Sequence, residues 1–318
     1  MNNALLSQIR RINQRFLKLN NVAKLKTFLQ NVQNTKSPQY RQFLTPAQFA
    51  AKYGPTTAQV DTVVAWLKSR GINVLSVSSP NRILIRAEAT TEVFEHALGV
   101  RINDYTQGKR SFYSSPDAPK LPSAVGQHVN GIFGLANEGQ MKPRHVFGGF
   151  VAAGKKGAAS ANYPAPPAQT SAYYRPQQIQ VAYDWPDVTN PANAAGVTVA
   201  ILTAESAGIG TSTTDYEDFW SELGLPGHDV TVVDINGGGG DTGGMIETLL
   251  DMEWDGAMGP GVSQIVYDNP NTTFGDFADE YAQFANDASA QVMTTSWGAP
   301  ETSWQQDTST CDQSYDNC

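Results

Sequence analysis

Neither lysine nor arginine occurs after Arg175. The 22 basic residues of this 318-residue chain lie between Arg10 and Arg175 together with 7 acids, so residues 1–175 carry a formal +15; residues 176–318 hold the other 23 acids and stand at −23. A stretch without cations cannot neutralise phosphates, which excludes nucleic acid as its partner. Long apolar runs are missing as well: no 18 consecutive apolar residues occur, so no membrane span is expected. The N-terminus shows no charged-then-apolar signal-peptide order, and MNNALLSQIRRINQRF reads instead as a basic amphipathic stretch or the product of a misplaced start codon. Cysteine is confined to Cys311 and Cys318, whose spacing fits a small disulfide loop outside the cytoplasm and fits two free thiols nearly as well; without a Cys-x-x-Cys pattern, zinc is not indicated. Of four histidines only His228 lies beyond His145, in the turn LPGHDV, so a Ser-His-Asp arrangement is poorly supported.

What is present suffices for two cores. Hydrophobic residues make up 40% of the chain, which excludes a disordered or collagen-like polymer. The stretch 139–172, with GKKGAASANYPAPPAQTSA, is rich in small residues and proline and reads as an interdomain linker, with Lys155 and Lys156 as a plausible nick site. Upstream, the patterning predicts a strand at INQRFLKL, helices at 21–32, TPAQFAAKYG and AQVDTVVAWLKSRG, strands at NVLSVSS and RILIRAEA, a helix at TTEVFEHALG, and strands at VRINDYT and RSFYS. That is a small α+β sandwich. Downstream, VTVAILTA, DYEDFWSELG, VTVVDI, GMIETLLDMEWDGAM, SQIVY, FGDFADEYAQFANDA and AQVMTTSW alternate strand and helix, the grammar of a parallel sheet. Such sheets place chemistry at the carboxyl ends of their strands, so the loops after Ile235 and Trp297 are the places to look.

The loop NGGGGDTGG contains Gly238, Gly240 and Gly243 in a dinucleotide-like spacing, but Asp241 would sit among the phosphates with no cation to offset it, and the reading is rejected. Asp241-Thr242-Gly243 spells an aspartic-protease triplet without its second copy or its all-β body. Glu247 and Asp251 are four residues apart on the helix that opens at this loop, within reach of one another. Like charges at that spacing cost stability, and an acidic solvated face is the plain alternative. Met245, Ile246, Leu249, Leu250 and Met252 leave little room for solvent around the helix, so a coupled pair sharing one proton is the functional reading.

Four ordered motifs carry a family resemblance. SPQYRQFLTPAQFAAKYGP, with a long amphipathic helix after it and LPSAVGQHVNGIFGL later, resembles the activation domain of the sedolisin family of serine-carboxyl peptidases. YYRPQQIQVAYDWP resembles the start of the mature enzyme, ETLLDMEWDGAMGPGVSQIVY its Glu-x-x-x-Asp helix and next strand, and VMTTSWGAPETSW its substrate-cleft strand.

The resemblance implies an activation pro-domain over 1–138 with a ferredoxin-like antiparallel sandwich, a linker with the maturation site over 139–172, and the N-terminal part of a subtilisin-like catalytic domain over 173–318, cut after about four strands. It implies Glu247 as general base and Asp251 as its partner, with Ser296, Trp297, Gly298 and Ala299 binding an extended polypeptide substrate; Trp297 as plain core is the alternative. A carboxylate base suits a reaction run in acid. The family's Gly-Asp-Ser-Gly and Gly-Thr-Ser-x-x-x-Pro motifs are not found after Trp297: Gly210-Thr211-Ser212 lacks the proline and precedes Glu247, and Gly240-Asp241-Thr242-Gly243 is a similar decoy. The expectation is a truncated precursor, inactive as written, with no cofactor or metal in this chain since the family's calcium site lies further on. Intramolecular contact between pro-domain and catalytic domain, steered by opposite charge, and a secreted or extracytoplasmic location are also expected. The alternative is a non-catalytic inhibitor or folding partner of a complete peptidase.

Overall fold

The computed structural model describes residues 10–143, 174–185, 194–211, 215–225 and 227–299, with side chains from residue 16 onward. Cys311, Cys318, Lys155, Lys156 and Ser212 lie outside the described residues, as does most of the stretch read as a linker. The described residues divide into two compact units, 10–140 with 273–288 and Ala299, and 141–272 with 289–298.

In the first unit β1 (Arg10–Leu17) leads to α1 (Val22–Gln33), α2 (Pro46–Lys52) and α3 (Thr57–Ser69). Both α2 and α3 open on capping boxes: Thr45 and Thr56 accept from the Gln48 and Gln59 amides, and those glutamine side chains accept in return from the threonine amides. Next come β2 (Asn73–Val77), β3 (Leu84–Thr90) and α4 (Thr91–Leu98), which ends on Gly99 in the left-handed region. The hairpin β4 (Asn103–Gln107) and β5 (Arg110–Ser114), the short α5 (Ser123–Gly126) and β6 (Val129–Phe133) follow. The main sheet is antiparallel in the order β2-β3-β1-β6, with Ile85, Ala87, Phe94, Leu98, Leu67 and Ile132 in its core. One expectation is corrected here. The segments at 100–106 and 110–114 do not join this sheet but form a hairpin of their own, and the fourth strand is VNGIF, which the patterning had left unassigned. Its Asn130-Gly131 pair is depleted in strands, and its place is set by pairing with β1, more than a hundred residues earlier.

The second unit contains β7 (Lys142–Pro143), α6 (Pro176–Ala182), β8 (Thr198–Ala204), α7 (Asp215–Glu222), β9 (Val230–Asp234), α8 (Met245–Met258), β10 (Ser263–Asn269), β11 (Val292–Thr294) and β12 (Trp297–Gly298). Helix α9 (Phe274–Asp287), which precedes β11 in the chain, groups with the first unit. The alternating segments thus form the strands and helices their periods predict. Strands β11-β8-β10-β9 pair in that order, all parallel. The near-continuous burial of β8 and β10 identifies them as the sheet's interior. Trp220 of α7, Met252 of α8, Ile201 and Val266 fill the core.

Candidate active site

Strands β8, β10 and β11 end beside one another, and α8 begins there. Its N-cap, Gly244, donates its amide to the Glu205 carbonyl at 2.9 Å just beyond β8. A Cβ at Gly244 would overlap the Ala204 carbonyl oxygen and come 2.8 Å from Cζ2 of Trp297, so only glycine lets the helix start this close to the sheet. The first turn of α8 corrects the expectation of a helix whose apolar residues pack on several sides. Ile246 is 52% exposed and Leu250 37%, whereas Glu247 is 2% exposed and Thr248 is fully buried. The polar residues of this turn face inward.

Asp251 follows one turn after Glu247. Its Oδ1 accepts the Ser296 hydroxyl at 2.6 Å, and its Oδ2 is buried with no hydrogen-bond partner among the described residues. Burial pushes Asp251 up to about 6; the Ser296 hydroxyl pulls the other way, and the charge of Glu247 adds to the rise. One turn further, Asp255 is held at about 7 by burial and then by Asp251. The sequence reading stopped at two carboxylates, although the same four-residue step from Asp251 to Asp255 was visible in it. It also passed over Asp268, at the end of β10, which is 2% exposed and raised to about 7 mainly by burial, with the Asp234 and Glu205 charges adding to it. The signal was available: an acid at the carboxyl end of a parallel strand. Asp268 accepts the Ser206 amide at 3.2 Å, and the glycine loop folds over it so closely that a Cβ at Gly239 would overlap its Oδ2.

Trp297, 6% exposed, donates its indole N–H to Thr203 Oγ1 at 3.2 Å. Strand β12 pairs antiparallel with β7, Trp297 opposite Pro143 and Gly298 opposite Lys142. An extended segment of the chain itself therefore lies along the backbone that the resemblance assigns to a substrate. Ser296 enters this site through its side chain as well as its backbone, and Ala299 is half-buried. The structure brings Asp251, Ser296 and Trp297 to one end of the parallel sheet, with Glu247 in the first turn of the same helix. His228 has other company: its Nδ1–H donates to the Val262 carbonyl at 3.0 Å and its ring packs edge-on against Trp220, while burial lowers its pKa. Among the described residues no three His, Cys, Asp or Glu side chains stand together as metal ligands.

A family profile described as the pro-kumamolisin activation domain matches residues 13–138. Xanthomonalisin from Xanthomonas sp. (strain T-22) is 29% identical over 301 residues, 91% of this chain and 35% of that protein. Sedolisin from Pseudomonas sp. (strain 101) is 26% identical over 89% of this chain and 47% of its own length, and kumamolisin from Bacillus sp. (strain MN-32) is 24% identical over 84% and 47%. The chain therefore spans between about a third and half of these relatives. A match to the activation domain followed by a parallel-sheet region, with likeness to all three relatives across both, supports membership of the sedolisin family.

Proposed function

We propose that the chain is precursor sequence of an acid-acting serine-carboxyl endopeptidase, with Glu247 as the general base that takes the proton of an attacking serine hydroxyl and Asp251 as its partner. The observation that carries this reading is the junction of Asp251, Ser296 and Trp297 beside a strand edge that accepts an extended backbone. In acid, below about 6, Asp251 holds a proton. The pair then need not carry two adjacent negative charges, and Glu247 is left to receive the proton of the nucleophile. Ser296 fixes the Asp251 carboxyl in place. Ser296 to Ala299 would align the substrate by backbone hydrogen bonds, and the Lys142–Pro143 segment on β12 is where a product-side or substrate-side strand would run.

The domain reading goes with it: activation domain 1–138, linker with maturation site 139–172, N-terminal part of the catalytic domain 173–318. The strand order β2-β3-β1-β6, with helices between β1 and β2 and between β3 and β6, supports a ferredoxin-like activation domain. Opposite charges of +15 and −23 on the two parts of the sequence favour their association and its weakening in acid. Secretion follows from the family.

The nucleophile and the oxyanion group are not assigned to residues of this chain. The 318-residue polypeptide by itself is expected not to hydrolyse peptides; a precursor carrying it together with Gly-Asp-Ser-Gly and Gly-Thr-Ser-x-x-x-Pro segments is expected to mature and digest casein in acid. Glu247→Gln should abolish both activities in that precursor. Undiminished casein hydrolysis by the Glu247→Gln precursor would overturn the reading, and tight inhibition of a mature relative by a chain never joined to a nucleophile would support the inhibitor alternative.

A further inference from the structure

Three hydroxyls lie fully buried between β8 and α8: Thr203, Ser206 and Thr248. Thr248 Oγ1 is 2.6 Å from Thr203 Oγ1 and 2.5 Å from Ser206 Oγ, and it is 3.2 Å from the Gly244 carbonyl. The Trp297 indole can only donate, so Thr203 Oγ1 accepts from it. Thr248 shares one hydrogen bond with Thr203 and one with Ser206, in each of which either hydroxyl can donate, and the carbonyls of Gly244 and Ala204 accept the remaining protons from Thr248 and Ser206, both at 3.2 Å; the Gly244 carbonyl also receives the Thr248 amide at 3.1 Å. No hydroxyl is left without a partner, and none reaches solvent.

We propose that Thr248 is a positioning residue, whose hydroxyl ties the first turn of α8, and so Glu247, to strand β8 and through Thr203 to Trp297. This rests on the peptidase reading for its meaning, since it fixes the base against the tryptophan of the substrate edge. The inward face of the turn explains why a threonine follows the base: a β-branched residue is a mediocre helix former, and here it is retained at a buried position for its hydroxyl. A dry network of this kind is stiff because any break strands a buried donor or acceptor. Gly244 supports the same geometry from the other side, since its lack of a Cβ lets the turn approach Ala204 and Trp297.

The test uses the full 318-residue chain labelled with ¹⁵N-tryptophan, whose six indole signals include Trp297, identified by W297F. T203V removes the indole's acceptor and should move the Trp297 signal upfield and speed its hydrogen exchange by about tenfold, the factor one hydrogen bond controls. T248V, isosteric and one bond away, should move the same signal in the same direction by less. T248S, which keeps the hydroxyl, should leave it where it is. A Trp297 signal unmoved by T248V, or moved equally by T248S, overturns the inference. If T248V does not fold, T248C makes the same decision: its weak thiol should give an intermediate shift, and an unmoved signal counts against the network. The indole readout needs no activity, so the two readings fail separately. Casein hydrolysis surviving E247Q would remove the peptidase reading while leaving a hydroxyl chain that still moves Trp297; an inert T248V alongside a dead E247Q removes only the chain.

Discussion

The Ser296 hydroxyl donates to Asp251 Oδ1 at 2.6 Å, across 45 residues of sequence, and so fastens the end of the parallel sheet to the helix that carries Glu247. Family resemblance places Ser296 among backbone contacts to substrate; its side chain has a second task, to orient Asp251 and hold down its pKa against the effect of burial.

Ser296→Ala should therefore raise the Asp251 midpoint above about 6. A hydrogen bond to a carboxylate of roughly 1 kcal/mol corresponds to somewhat less than one pH unit. Carbonyl ¹³C chemical shifts of aspartate followed from pH 3 to 8 measure it directly. A midpoint that falls, or stays put, would show that the hydroxyl does not stabilise the ionised form.

Stability should run with acidity. Asp251 at about 6 and Glu253, Asp255 and Asp268 at about 7 all have folded values above their ordinary ones, chiefly through burial. Each prefers the folded state when protonated, so its contribution is complete below the unfolded value near 4 and is lost as pH rises through 6 to 7. Residues 176–318 offer no lysine or arginine to reverse this. Melting temperature is expected to climb from pH 7.5 to pH 4, and Asp268→Asn should flatten the rise. Asp117, held at about 2 by the Arg101 guanidinium, has the opposite sign: its contribution is present above about 4 and disappears only as pH falls through 2. It is a surface pair, and its effect is small.

Arg86 on β3 meets Asp279 on α9 at 3.6 Å, with Asp279 only 8% exposed. Within the first unit this pair pins the helix to the sheet, joined by Asn286 Oδ1, which accepts the Asn81 amide. Arg86→Gln leaves a buried carboxylate without its cation and should cost about 1–3 kcal/mol, less than a fully dry pair because Arg86 is partly exposed. Amide exchange over 274–287 should accelerate, and Asp279→Asn added to Arg86→Gln should recover most of the loss. A double variant no better than the single would show that the charge pair is not what holds α9.

The contrast between what the sequence disclosed and what it hid follows from the range of the interactions. Periods of two and 3.6 made the alternating strands and helices from Thr198 to Thr294 legible, and the Glu247–Asp251 step put both acids on one helix before any coordinates. VNGIF was illegible because its strand state depends on β1, and the period of a five-residue run with Asn-Gly in it is too short to register. The orientation of α8 was misread for a related cause. Its first two turns carry Met245, Ile246, Leu249 and Leu250, so apolar content suggested burial there, yet the hydroxyls of Thr203 on β8 and of Ser206 just after it hold Thr248 inward, and Ile246 and Leu250 are left exposed. Asp268 and Ser296 could be seen as residues, but which partner each would meet depends on where strands end.

Gly244 is the hinge of this geometry, and Gly244→Ala gives the sharpest structural test. At φ −94° and ψ −6° the backbone itself tolerates alanine, so any penalty arises from contact and not from conformation. The added methyl would overlap the Ala204 carbonyl oxygen, which is strand backbone and cannot rotate away, and would press on the Trp297 ring. The turn must retreat. Overpacking of this kind costs about 1–3 kcal/mol, and the displacement would carry Glu247 and Thr248 with it. Lower thermal stability should come with an altered Trp297 indole signal and a changed Asp251 midpoint, since the Ser296 bond spans the same gap. If the methyl merely destabilises, with the Trp297 signal and the Asp251 midpoint unaltered, then the start of α8 does not set the spacing of the site, and the proposed base and the substrate edge are held by some other contact.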